Sequence, residues 1–402
     1  MRSNGTIALL LVAISAYYVY LPIPGDIEEK WKLMITDSFF RSLSHMADLS
    51  ELLGLKDYMG VMMFITVLER VVPVTDRRVW VTEEVFDGVD MVVYQPGQQG
   101  GARELRRAVV YLHGGGWCLG SSRMEPYDLL ARKMVVELNA VVISVEYRLA
   151  PAHPFPAPFE DVYRGVRFFL QEAVLARYSV DPTRIAVSGD SAGGNLAAAV
   201  AQKLQQEPGQ QVALKAQALL YPVLQALDLD TPSYRQNQDM PILPRTLMVR
   251  FWSEYFTSDK SLFRAMLANA HNSAASAPLL KFVNWSSHLP ESFRGPYRYS
   301  APDAGPAPPF GAIADPRASP LLAPDGALRR LPKAYILTCE YDVLRDDGVM
   351  YATRLRRAGV NVTHSHYAAG FHGALMFTAW PADFRIAHRM TEDYVGWLRE
   401  NL

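Results

Sequence analysis

Five nearly continuous apolar runs constrain this chain most: Ala108–His113, Ala140–Arg148, Ile185–Gly189, Ala216–Pro222 and Ala334–Tyr341. Runs without polar alternation suit strands buried on both faces, which is the situation inside a parallel sheet. Val79–Phe86 and Met91–Pro96 add a pair joined at Asp87-Gly88, a hairpin turn signal, and Val362–Tyr367 is a weaker eighth strand. Helical patterns at Glu125–Glu137, Phe159–Ala173 and Ala192–Glu207 lie between the strands. This alternation predicts an α/β architecture around a mostly parallel eight-stranded sheet.

Composition removes several alternatives. Half of the 402 residues are hydrophobic (50%), enough apolar surface to offset chain entropy, so the chain is not disordered. Forty Lys+Arg against 41 Asp+Glu leave a net charge of -1, which gives no bulk electrostatic case for nucleic acid. Two cysteines are too few for a disulfide scaffold or a cysteine-built metal site. Two regions stand outside the alternation. Residues 24–78 are mostly helical in pattern, and residues 225–330 form a long insertion with one amphipathic helix around Arg245–Tyr255. Gly295–Pro320, rich in Pro, Ala and Gly, reads as loop, and structureless stretches of that length usually serve as lids or binding elements.

The chemistry concentrates where strands end. Gly189-Asp190-Ser191-Ala192-Gly193 follows one apolar run and precedes an Ala-rich helix, the strand–turn–helix setting of a nucleophile elbow. Standing alone, the pentapeptide would be an ordinary Gly/Ser turn; here the glycines relieve a strained turn that exposes the Ser191 hydroxyl at a helix N-terminus. His113-Gly114-Gly115-Gly116 ends another buried strand. Three glycines there let backbone N–H groups approach a reacting carbonyl, and with Ala192 they form a candidate oxyanion hole. His113 orients that loop rather than transferring protons.

A general base must follow the nucleophile in the order Ser, Asp/Glu, His. His271, His288, His364, His366, His372 and His388 all lie after Ser191. His364 and His366 alternate within a strand and His388 lies in a helical pattern, whereas His372 sits in a loop after the last strand. Asp342 ends the strand before it and can reach that loop. Asp346 and Asp347 open the next helix and read as capping or dipole partners, and Glu340 faces another way.

The N-terminus carries a separate signal. Ile7–Ile23 (IALLLVAISAYYVYLPI) is at the short end of the roughly 17–25 residues that span a bilayer, with Tyr17, Tyr18 and Tyr20 as interfacial aromatics. A cleaved signal peptide is the alternative, with only Ala13-Ile14-Ser15 as a weak cleavage site. Arg2 precedes the span while Asp26, Glu28 and Glu29 follow it, so the positive-inside rule leaves the N-terminus cytosolic and the body in a lumen. Residues 1–23 are then a signal anchor, and residues 24–402 a lumenal catalytic domain with cap elements 24–78 and 225–330. Of the triplets at Asn4, Asn284 and Asn361, Asn4 falls on the cytosolic side and Asn361 opens a strand. Asn284 is the expected glycan acceptor.

His113–Trp117, Tyr147–Pro151, Gly189–Gly193, Asp342 and Phe371-His372-Gly373 together resemble the hormone-sensitive-lipase-like branch of the α/β-hydrolases. The likeness extends to the anchor, Glu51–Leu55, Met248–Phe256, Lys281–Ser287 and Asp342–Gly348, which is nearly the whole chain; Tyr297–Ala314 carries none of it. It implies an α/β-hydrolase fold and a Ser191–Asp342–His372 triad. It also implies a lumen-facing enzyme of the endoplasmic-reticulum membrane that needs no metal or organic cofactor. The implied substrates are aryl amides, lipophilic esters and, by extension, acylglycerols. Cholesteryl-ester or ether-lipid hydrolysis is the alternative within the branch, and a noncatalytic lumenal ligand-binding protein the alternative outside it. Finally, Cys118 and Cys339 both sit toward the catalytic edge of the sheet, so an oxidising lumen makes a Cys118–Cys339 disulfide the expectation.

Overall fold

The computed structural model describes residues 12–97, 105–209, 211–302 and 311–402. Eight strands form one sheet in the order β1-β2-β4-β3-β5-β6-β7-β8. β1 (Val79–Phe86) and β2 (Val89–Pro96) make the hairpin; Asp87 at φ 48 and Gly88 at φ 79 both take the left-handed conformation that such a two-residue turn needs. β2 pairs antiparallel with β4 (Ala140–Glu146). β3 (Arg106–Leu112), β5 (Val180–Asp190), β6 (Ala216–Leu220), β7 (Lys333–Tyr341) and β8 (Val362–Phe371) continue in parallel from β4. The α/β-hydrolase fold expected from the sequence is therefore present.

Helices cover both faces, as the two-sided apolar runs require. Ala157–Phe169, Ala192–Gln205 and Arg345–Arg357 pack on one face, and Glu125–Leu138 and Arg385–Asn401 on the other. The single helix expected over Phe159–Ala173 is two, because Gln171 adopts an extended backbone (φ -70, ψ 136). That break lets Phe169 and Leu170 enter the core, where Phe169 stacks on Phe86.

Residues 24–78 form a cap of helices Lys30–Leu52, Tyr58–Met62 and Phe64–Leu68. The insertion supplies Arg245–Phe256 as expected, and also Pro232–Gln236, Lys260–Leu267 and several single turns that periodicity over so few residues could not signal. Asp346 and Asp347 do not cap their own helix. Asp346 accepts from the Ser233 N–H at 2.7 Å and Asp347 from the Leu224 N–H at 2.8 Å, so both pin the chain around the start of the insertion to helix Arg345–Arg357. Burial raises both carboxyl pKa values, that of Asp347 to about 7 despite its donors.

The expected disulfide is not formed. Cys118 and Cys339 are buried free thiols, and burial pushes both well above the ordinary thiol range. Cys339 lies in β7, whereas Cys118 sits in the turn beyond β3, and β5 and β6 run between those two strands. They also pack into the hydrophobic clusters on opposite faces of the sheet. A bridge needs Cα atoms within about 7 Å.

No helix among the described residues is long and apolar enough to cross a membrane. Residues 7–11 of the Ile7–Ile23 stretch and Asn4 lie outside those residues, as do residues 303–310 of the Pro-rich loop; residues 12–19 are helical.

Candidate active site

The strand registers assemble the site. Leu112 pairs with Gly189, so His113 and Asp190 reach the end of the sheet together. A register shift after Cys339 pairs Tyr341 with Phe371, so the next residues, Asp342 and His372, leave the sheet side by side. This is the carboxyl edge of a parallel sheet, the place such folds use for ligands.

Ser191 lies between β5 and helix Ala192–Gln205 at φ 52, a left-handed conformation costly for a non-glycine residue. The turn fits because its neighbours are small: a Cβ on Gly193 would overlap the Leu112 and His113 carbonyls. Ser191 Oγ is 3.1 Å from His372 Nε2, and His372 Nδ1 is 2.9 Å from Asp342 Oδ2. Asp342 is fixed in turn, with Oδ1 accepting from the Leu344 N–H at 2.8 Å and its carbonyl from Asn237 Nδ2 at 3.0 Å. The Tyr221 ring meets the His372 imidazole edge-on with centroids 5.0 Å apart.

The other histidines stay away from Ser191. His364 and His366 both hydrogen-bond Thr338 Oγ1, and His366 pairs with Glu340 at 3.1 Å. His364 is half-buried rather than solvent-facing, and burial lowers its pKa to about 4. His271 bonds the Ala226 carbonyl, His288 the Lys281 carbonyl, and His388 pairs with Asp383.

The glycine loop is held from several sides. The Gly114 N–H donates to Tyr127 Oη at 2.9 Å, so this amide, expected in the oxyanion hole, is already committed. Those of Gly115, Gly116 and Ala192 carry no hydrogen bond among the described residues. The Gly120 N–H donates to Thr66 Oγ1, and Ser121 and Ser122 to Glu146. His113 is buried, stacks on Tyr147 at 4.2 Å, and bonds the Gly114 carbonyl through Nδ1; burial lowers its pKa, in keeping with a structural role. Trp117 is fully buried and stacks on Tyr255 of helix Arg245–Phe256 at 4.2 Å, which ties the loop to the insertion.

Sequence reasoning missed the tyrosines around Asp190. Tyr111 Oη donates to Asp190 at 3.0 Å and Tyr127 Oη lies 3.4 Å from its other oxygen. Burial raises this carboxyl to about 6, the Tyr111 bond opposing the shift. Tyr127 lies on a helix distant in sequence, and nothing in its local pattern marks it.

Above Ser191 opens a cleft of about 200 Å³. Gly114–Gly116, Ser191 and His372 form its floor, and Phe40, Met62, Leu247, Phe251, Met376 and Phe377 form mainly apolar walls. Glu69 is the acid on its rim, its carboxyl pushed up to about 7 by burial and by Glu125 nearby. Asn284 lies far along the insertion, half-buried, its Oδ1 accepting from the Ser286 N–H and hydroxyl.

Residues 109–284 and 308–376 match the family described as alpha/beta hydrolase fold. Arylacetamide deacetylase of Oryctolagus cuniculus is 50% identical over 401 residues, covering 99% of each chain. Neutral cholesterol ester hydrolase 1 of Bos taurus is 44% identical over 409 residues, covering 100% of each. A thermostable esterase from Pseudomonas putida superimposes with a TM-score of 0.62 at 26% identity, covering 86% of this chain and 90% of the esterase. A fold shared with esterases and half of its residues shared with a deacetylase along almost the full length mean that the chain belongs to the hormone-sensitive-lipase-like branch of the α/β-hydrolase family, beside arylacetamide deacetylase, and is a carboxylesterase/amidase.

Proposed function

We propose that this chain is a membrane-anchored serine hydrolase of the endoplasmic reticulum, with its catalytic domain in the lumen, cleaving arylacetamides and lipophilic carboxylic esters through an acyl-enzyme on Ser191. The observation that carries the catalytic part is the Asp342–His372–Ser191 chain of 2.9 and 3.1 Å contacts beneath an apolar cleft. Ser191 Oγ attacks the acyl carbon as His372 Nε2 takes its proton, and Asp342 holds the Nδ1–H tautomer and stabilises the imidazolium. The amides of Gly115, Gly116 and Ala192 receive the oxyanion, each worth roughly 2.7–4 kcal/mol in comparable holes. His372 then protonates the departing alcohol or arylamine, and water attacks the acyl-enzyme by the reverse route. The lipophilic preference rests on the cleft walls. The anchor and its orientation rest on Ile7–Ile23 and the flanking charges, and the glycan is assigned to Asn284.

Ester and anilide turnover by the purified chain and by Ser191→Ala tests the catalytic claim. The variant should lose both activities and covalent labelling by a fluorophosphonate; persistent labelling would move the nucleophile elsewhere. For the topology, endoglycosidase should shift the gel mobility of the wild type and leave Asn284→Gln unchanged. A soluble chain released by high pH, lacking Tyr17–Tyr20, would mean a cleaved segment. Cholesteryl-ester hydrolysis is the second reading, favoured by the 44% identity to a neutral cholesterol ester hydrolase. Parallel turnover of an arylacetamide and a cholesteryl ester separates the two.

A further inference from the structure

Exposed large apolar side chains are concentrated at one end of this chain: of twenty-three among the described residues, seventeen precede residue 75. Helix Lys30–Leu52 turns Leu33, Leu43 and Ala47 into the core and Phe40 toward the cleft. Its outer side and the turns that follow leave Leu49 (55%), Leu52 (81%), Leu53 (60%), Leu55 (76%), Phe64 (52%) and Val67 (64%) open to solvent. Isolated exposed leucines need no explanation, but a cluster on this scale marks a surface that meets something apolar.

Two observations identify what it meets. Helix Phe64–Leu68 exposes Phe64 and Val67 on one side while Ile65 and Thr66 line the cleft on the other, so the mouth of the active site opens within the apolar surface. The helical segment 12–19, which continues the apolar N-terminal stretch, is fastened to the same cap helix. Arg41 donates to the Tyr18 carbonyl at 3.0 Å, its guanidinium lies 4.8 Å from the Tyr18 ring centre, and Ser42 bonds the Tyr18 hydroxyl. The stretch that would enter the bilayer therefore leaves the body from the apolar face. Trp31, ring-paired with Tyr20, and Trp380 (87% exposed) add side chains suited to a headgroup boundary.

We infer that the outer surface of the 30–74 cap is a bilayer-docking face that seats the cleft mouth on the leaflet, so that apolar esters pass from the acyl-chain region to Ser191 without crossing water. This rests on the membrane-anchored hydrolase reading and adds to it a lipid surface as partner and a lateral route for the substrate. The apolar walls Phe40, Met62 and Leu247 then continue the acyl environment inward.

The test uses the full chain in phosphatidylcholine vesicles, with an environment-sensitive fluorophore on Leu53→Cys; the native thiols are buried. Docking predicts quenching by lipids carrying a quencher on the acyl chain. Insensitivity to the quencher overturns it, as does shielding that persists in detergent and grows with protein concentration, which would put a second copy on the face. In a second arm, Leu52→Ser, Leu53→Ser, Leu55→Ser and Val67→Ser are combined. Turnover of a long-chain ester dissolved in the vesicles should fall about tenfold, with 4-nitrophenyl acetate turnover within about twofold of wild type. Equal losses on both esters, or none, overturn the inference. A wild-type chain inert toward both esters would sink the hydrolase reading instead, and the quenching arm would still decide the docking.

Discussion

At the carboxyl edge of the sheet most polar groups are committed, apart from the open amides of Gly115, Gly116 and Ala192, whereas the cap facing it meets the cleft mainly with apolar side chains. Asp342 is held by Leu344 and Asn237, Gly114 by Tyr127, and Gly120 by Thr66. Across the cleft, Phe40, Met62 and Leu247 offer shape rather than directed bonds. The difference separates two tasks. Hydrogen bonds fix angles, so the edge sets where charge develops. Apolar contact is non-directional, so the cap sorts substrates by size and polarity and tolerates exchange.

The sharpest test of that division is at the triad. Asp342→Asn, which keeps the shape but upsets the imidazole tautomer, should lower kcat by about 10⁴. His364→Ala, on the neighbouring strand but bonded only to Thr338, should retain most activity in the same assay; equal losses would break the assignment of the base. One step weaker is Tyr127→Phe, which frees the Gly114 amide and loosens the loop. A kcat about tenfold lower at nearly constant KM is expected, the scale of one lost buried hydrogen bond. A pure KM effect would place Tyr127 with the cap instead.

On the cap side, Leu247→Ala should reduce kcat/KM for a bulky aryl ester by roughly fivefold while leaving an acetate ester unchanged, as expected for lost methylene contacts. Parallel loss on both substrates would show that the cap positions the chemistry after all. The smallest effect is electrostatic. Glu69 is neutral below its raised pKa of about 7 and anionic above it, and an anion beside the oxyanion loop opposes the charge that develops there. Catalysis on a neutral ester should therefore decline by about threefold as pH rises through 7, and Glu69→Gln should remove that decline. An unchanged profile in the variant would mean that the Glu69 charge does not reach the reacting oxygen.

Strands and elbow were legible because their signals are local: an apolar run, a glycine on either side of Ser191, three glycines after His113. Asp342 and His372 were legible from their positions just past strand ends. The commitment of Gly114 to Tyr127 was not, since Tyr127 sits 13 positions on, in the first turn of the next helix, where nothing in the local pattern points back to the loop. Asp346 and Asp347 misled for the same reason. Position in a first turn suggests a cap, yet their partners, Leu224 just before the insertion and Ser233 within it, lie more than a hundred residues earlier. The disulfide expectation failed on packing: Cys118, in the turn beyond β3, and Cys339, in β7, enter hydrophobic clusters on opposite faces of the sheet, which the sequence does not state.

By itself, then, the sequence determined the sheet, the strand ends from which Ser191, Asp342 and His372 converge, and the apolar N-terminal stretch, all of which depend on periodicity and short-range backbone sterics. The tertiary structure decided which loop amides remain open, which carboxylates tie the insertion down, and that the cleft opens among exposed apolar side chains. Those outcomes depend on burial and on partners far apart in the chain, and both come into being only when the elements pack.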